Sequence, residues 1–221
     1  MRKVTALSFG IAILTGSSLA AQTMAVGEGC EAYATVHRDS CIVSNYVRCG
    51  DRTEVYSFYK TRLTDTHVFG PDWDLLKYVA DGNTNSVLAS PGTAPEASLT
   101  QALETGESLG AREYGFATGV LKDNKLDVVS QMRMSDAEVE LNGHTLRVGS
   151  VTRNMTVRKN GVTAQYDFVT YATPDGRLFI EGSADVEQFG NASRLEWTPR
   201  QIAMPGEDGF LSVTSNFGCE G

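Results

Sequence analysis

The stretch that decides the fold is Leu126–Phe189, LDVVSQMRMSDAEVEL-NG-HTLRVGSVTRNMTVRK-NG-VTAQYDFVTYATP-DG-RLFIEGSADVEQF, broken here at its three turn dipeptides. Asn142-Gly143, Asn160-Gly161 and Asp175-Gly176 supply the positive φ angles of tight turns, and the segments between them are rich in β-branched and aromatic residues. Four hairpin-linked strands follow. Val162, Ala164, Tyr166 and Phe168 alternate with Thr163, Gln165 and Asp167, while Leu178, Ile180, Ala184 and Val186 alternate with Arg177, Glu181, Asp185 and Glu187. One-sided strands of this kind form antiparallel sheets with one wet and one buried face.

The strand from His144 to Arg158 changes parity: Leu146 and Val148 are even, but Val151, Met155 and Val157 are odd. One extra residue near Gly149-Ser150 restores a single face, so a β-bulge is expected there. Bulges bend long strands. The reading is therefore a mainly β fold, a strongly curved antiparallel sheet forming a half-barrel or closed β-barrel. The expected inner face comprises Leu126, Val128, Val139, Leu146, Val151, Met155, Tyr166, Phe168 and Ile180.

Outside the meander, one short helix is signalled by Ser98 with Gln101 three residues on, a capping-box pattern. Leu99, Ala102, Leu103 and Gly106 lie on one face, with Gly110 as the stop. Thr53–Leu63 reads as one strand with aromatic mass on both faces, Trp73–Val79 as a second and Ser86–Ala89 as a third. Glu28–Gly50 shows little periodicity and reads as a disulfide-braced N-terminal segment. The tail reads as loop until a last strand near Phe210–Val213.

Residues 1–20 carry the marks of a signal peptide: Arg2 and Lys3, an apolar run from Val4 to Leu19, and small residues at Ser18 and Ala20. Thr23 and Ala25 offer a second cleavage pair, as late as residue 25. The mature chain, from residue 26 to 221, is long enough for one domain. Removing the two leader cations takes the formal charge from −8 to about −10. Such acidity argues against nucleic acid and against a polybasic membrane patch, both of which need clustered Lys and Arg; no stable membrane anchor is expected. Cys30, Cys41, Cys49 and Cys219 form an even set, which in an oxidising compartment reads as two disulfides with three possible connectivities. If both form, Cys219 pairs with one of the other three. A periplasmic or secreted protein is expected.

Several motifs match a chemistry in letters only. Gly106-Glu107-Ser108-Leu109-Gly110 fits the G-x-S-x-G nucleophile elbow, but a helix precedes it and a strand follows, the reverse of the order that chemistry needs. Asp81–Asn85 opens like a calcium loop yet has Ser86 and Gly92 where Gly and Glu belong. Asp72 and Asp74 flank Trp73 as a solvated strand end. His37, His67 and His144 lack metal-ligand spacing. Neither a metal nor a cofactor is expected.

Pro71-Asp72-Trp73-Asp74, the Ser98–Gly106 helix and the hairpin run resemble uncharacterised secreted proteins of alphaproteobacteria. In outline, a curved sheet with a short helix is similar to periplasmic lipoprotein-carrier-like half-barrels. Sheet hollows and barrel mouths are common ligand sites, so a non-enzymatic periplasmic binding protein that holds an apolar ligand or partner segment on the concave face is expected. Met132, Met155, Tyr166 and Phe168 are the candidate ligand-facing residues, since methionines suit an adaptable lining. The alternative is an envelope accessory or interaction protein with a filled core and no small ligand; a weak hydrolase built on Ser108 ranks third.

Overall fold

Every strand from β1 to β12 pairs antiparallel with its neighbour in sequence, and the last strand returns to the start of the chain. The computed structural model describes residues 22–219, so the expected signal peptide at residues 1–20 lies outside the described residues. The strands are β1 (Cys30–Arg38), β2 (Ile42–Cys49), β3 (Arg52–Tyr59), β4 (Arg62–Phe69), β5 (Leu75–Ala80) and β6 (Ser86–Ala89). After helix α1 (Leu99–Thr105) come β7 (Glu107–Thr118), β8 (Lys125–Leu141), β9 (His144–Val157), β10 (Thr163–Ala172), β11 (Phe179–Gln188), β12 (Asn191–Leu195) and β13 (Pro199–Ala203). β13 adds beside β1, leaving β12 and β13 as the two edges of one 13-stranded sheet that ladder pairing does not close. No helix among the described residues is long and apolar enough to cross a membrane.

The sheet is strongly curved all the same. One buried cluster contains Ala34 and Val36 of β1, Tyr46 of β2, Val151 of β9, Phe168 of β10 and Ile202 of β13, so residues from both ends of the strand order pack together. Side chains stitch the seam where the ladder stops. Arg38 of β1 donates to the Glu181 carbonyl of β11. Asn142, at the tip of the β8–β9 hairpin, donates to the Ile202 carbonyl (2.7 Å) and accepts from the Ile202 N–H (2.8 Å), occupying the free edge of β13 as a strand would.

The meander is β8 to β11. At Asn142-Gly143 both residues have positive φ, 38° and 87°, which is the primed turn that the dipeptide predicts. The register shift, however, lies on β8 between Met134 and Glu138, and β9 runs unbroken against β10. Gly149 still takes part: a Cβ there would collide with the Arg133 carbonyl and the Met134 sulfur, so its absence lets β8 press against β9. Val139 lies beyond that bulge and is exposed, not on the inner face.

Other expectations need correction. Glu28–Gly50 is two full strands, and its periodicity is missing because Ala34 to Arg38 are all buried, leaving no wet face to mark. Thr53–Leu63 is not one strand: it breaks into β3 and the start of β4 at Lys60-Thr61, a tight turn without glycine. Trp73 sits in a turn at φ 60°, and its strand begins at Leu75. Gly106 ends the helix in a left-handed conformation, φ 88°, while Gly110 lies within β7. The tail's strands are β12 and β13; Ser212 makes only an isolated bridge to Thr23. Pro199 is tolerated because it opens an edge strand.

Candidate functional site

The concave face was the place to look, and it is occupied by the protein itself. Met132 and Phe168 are buried in the main cluster with Tyr46, Trp73, Leu99 and Leu146. Tyr166 packs against that cluster and stacks on Phe168, with centroids 5.8 Å apart. Met155 instead joins a second cluster around Val128, Phe116 and Val157. All four candidate residues thus lie inside the sheet, divided between two groups of packed side chains.

Between those groups sits a buried ion cluster. Arg153 of β9 bonds Glu181 of β11 at 2.9 Å and Glu96, from the loop before α1, at 3.1 Å. Its guanidinium also lies 5.5 Å from the Phe168 ring centroid. Arg112 bonds Asp74 at 2.9 Å, and Arg38 reaches the Tyr46 hydroxyl. Burial pushes the Glu181 carboxyl up, but Arg153, His67 and Arg38 together outweigh it and hold the group below the usual carboxylate range. Burial likewise disfavours charged Arg153, and the two glutamates more than offset that, so it stays cationic. Glu96 Oε2, Arg153 Nε and the Ser130 hydroxyl are buried with no hydrogen-bond partner among the described residues.

Nearer the surface, His67 Nδ1 meets Asp65 at 3.2 Å. Burial raises the Asp65 carboxyl, yet hydrogen bonds and charge from His67, helped by Thr64 and Ser57, bring it below its ordinary value. The Ser57 hydroxyl meets Ser44 Oγ at 3.2 Å and not the imidazole, so the trio lacks the nucleophile–base–acid order of a hydrolytic triad. Burial and the Asp65 charge push the neighbouring Tyr78 up to about 12.

The sequence motif around Ser108 is structural. The Ser98 N–H donates to Ser108 Oγ at 2.9 Å, Ser108 donates to Gln101 Oε1 at 3.0 Å, and the Gln101 N–H returns to Ser98 Oγ at 3.0 Å. The expected capping box is thereby closed through a third residue. Gly110 is small because the Pro95 and Glu96 carbonyls lie where its Cβ would be, which lets this loop deliver Glu96 inward. Asp72 also caps α1, accepting from Thr100 N at 2.8 Å.

The cysteines pair as Cys30–Cys49, across the β1–β2 ladder, and Cys41–Cys219. The second bridge pins residues 204–219 as a strap over the outer face of β1 and β2. Beneath it Thr35, His37 and Asn45 are fully buried and each bonds the strap: Asn45 donates to the Ser212 carbonyl at 2.9 Å, Leu211 N–H to Thr35 Oγ1 at 2.8 Å, and His37 Nε2–H to the Gly209 carbonyl at 3.0 Å, while His37 Nδ1 has no partner among the described residues.

No family model, no curated protein and no solved structure matches this chain.

Function must therefore be read from these residues alone. One member of the ion cluster was legible in the sequence. Arg153 shares the odd parity of Val151 and Met155, which alone places it inside. Glu181 was expected on the wet face; an extra residue on β11 between Glu181 and Ala184 turns it inward, where Gly182 has no room for a Cβ against the Val169 carbonyl. Glu96 has no local signal, because a loop path decides its position. Outside the core, a cleft of about 490 Å³ at the α1 end is lined by Trp73, Leu103, Arg48, Arg52 and Arg177, with Asp51, Asp72, Glu104 and Asp175 beside them.

Proposed function

We propose that this protein is a non-catalytic interaction protein of the cell envelope, periplasmic in location, whose curved sheet is a filled scaffold and not a carrier. Two disulfides place it in an oxidising compartment; the periplasm, and kinship with alphaproteobacterial secreted proteins, belong to the proposal. The observation that carries it is the occupancy of the concave face. Positions that would line a ligand, Met132 and Phe168, touch other core side chains, and an Arg153–Glu96–Glu181 cluster crosses the interior between the two apolar groups. An apolar ligand there would have to displace packed side chains or desolvate an ion cluster, and both are expensive.

Native mass spectrometry of protein purified from its own periplasm tests this. The expected result is the mass of the bare chain, with any partner captured through the surface. A stoichiometric lipid adduct would restore the binding-protein reading through Met132, Met155, Tyr166 and Phe168. Esterase turnover abolished by Ser108→Ala would replace both.

A further inference from the structure

If the protein works through its outside, the end that bears the β3–β4, β5–β6, β7–β8, β9–β10 and β11–β12 turns is the part that stands out. In an up-and-down antiparallel order these five turns share one end of the sheet with the β1–β2 turn, whose Asp39 is paired with Arg200. Contacts run from turn to turn along it: Arg62 pairs with Asp81, Thr118 bonds Asn83, and Arg158 N–H donates to the Lys125 carbonyl. Four large apolar side chains project there without joining the core. Tyr59 is 42% exposed, Leu63 38%, Phe189 68%, and Val120 is fully exposed.

Turn chemistry does not explain these residues. Phe189 holds φ 53° and Lys60-Thr61 hold 47° and 73°, left-handed conformations that Asn or Gly would adopt at less cost. The charge at this end is also opposite to that of the chain. The five turns and the residues flanking them carry Lys60, Arg62, Lys122, Lys125, Arg158 and Lys159 against Asp81 and Asp123, and Glu113 and Asp127 reach Lys125 and Arg158 from the adjoining strands, which leaves six cations to four acids in a protein of formal charge −8. Ion pairs take up Arg62, Lys125 and Arg158, while Lys60, Lys122 and Lys159 stand exposed. The cleft at the opposite end has four acids to three arginines.

We infer that this hairpin end docks reversibly on an anionic lipid surface. Apolar tips carried on separate turns, with lysines between them, suit a deformable headgroup layer, where each tip inserts independently and each cation meets lipid charge. A protein partner would instead call for one contiguous, shape-matched patch. Composition alone does not reveal this patch, because only folding gathers the cations of three turns at one end.

The test is co-sedimentation of the purified mature protein with vesicles of equal phosphatidylglycerol and phosphatidylcholine, against phosphatidylcholine alone. Binding is expected on the anionic vesicles and should weaken with salt. The variant Lys60→Glu/Lys122→Glu/Lys159→Glu should lose partitioning by about 100-fold or more. Val120→Ser/Phe189→Ser should lose about 10-fold at unchanged charge and unchanged thermal midpoint. Equal partitioning to neutral vesicles, no vesicle binding, or variants that bind like the parent would overturn the inference, as would capture of an acidic protein by this end without vesicle binding. This inference rests on the envelope-interaction reading, and the two fail separately: a bare native mass with no vesicle binding removes only the docking surface, whereas a stoichiometric bound lipid that survives both variants removes the reading itself.

Discussion

At the residue scale, the cluster around Arg153 is where single changes should matter most. Arg153→Met leaves Glu96 and Glu181 buried without their cation, and should cost about 3–5 kcal/mol in urea unfolding. Titration adds a second check. Glu181 and Asp65 are held below their ordinary values, so their contribution is complete above about pH 4.3 and disappears as pH falls through the depressed values. His37 behaves similarly from a different cause: burial lowers its pKa, and the Gly209 hydrogen bond offsets this only in part. Its neutral form is what the strap accommodates, so its contribution is complete above about pH 6.5 and fades as pH drops further. Thermal midpoints followed by circular dichroism should therefore decline in two stages on acidification. His37→Gln, which keeps a donor for Gly209 but does not titrate, should flatten the upper one.

At the scale of elements, the β3–β4 hairpin is under local strain and the strap depends on its bridge. Thr61 is a β-branched residue at φ 73°; Thr61→Gly removes the Cβ clash and should raise stability by about 1 kcal/mol, read as a shift in the urea midpoint. The Cys41–Cys219 bridge spans 178 positions, and a loop that long is nominally worth about 5 kcal/mol in the chain-entropy account. The Cys41→Ser/Cys219→Ser variant should be cut by protease first within residues 204–219. If the first cuts fall in β1 or β2 instead, the strap is not the piece that the bridge secures.

For the whole molecule, the open question of a curved sheet is how its edges are kept from pairing with other chains. Both edge strands are short, five residues each, which limits what another strand could join. β13 is further blocked because the Asn142 amide takes both backbone groups of Ile202. Asn142→Gly preserves the left-handed turn while deleting these two bonds. Hydrogen exchange at the Ile202 amide should accelerate in that variant, with an overall loss of about 1–3 kcal/mol. Unchanged exchange would mean that the seam is held elsewhere.

Local chemistry made the meander, its Asn-Gly turns and the caps of α1 readable from the sequence, because turn residues, period-two alternation and capping pairs act over a few positions. The antiparallel sheet followed from the same signals; its curvature was read from a bulge expected at Gly149-Ser150, whereas the register shift lies on β8 between Met134 and Glu138. Tertiary structure alone decided the rest. β1 and β2 were hidden because both of their faces are covered, which erases the period that marks a strand. Glu181 was hidden because a bulge reverses its face, Glu96 because a loop carries it in, and the disulfide pairing because four cysteines permit three arrangements. Lys60, Lys122 and Lys159 are far apart in the chain, and only the up-and-down order of the strands brings them to one end.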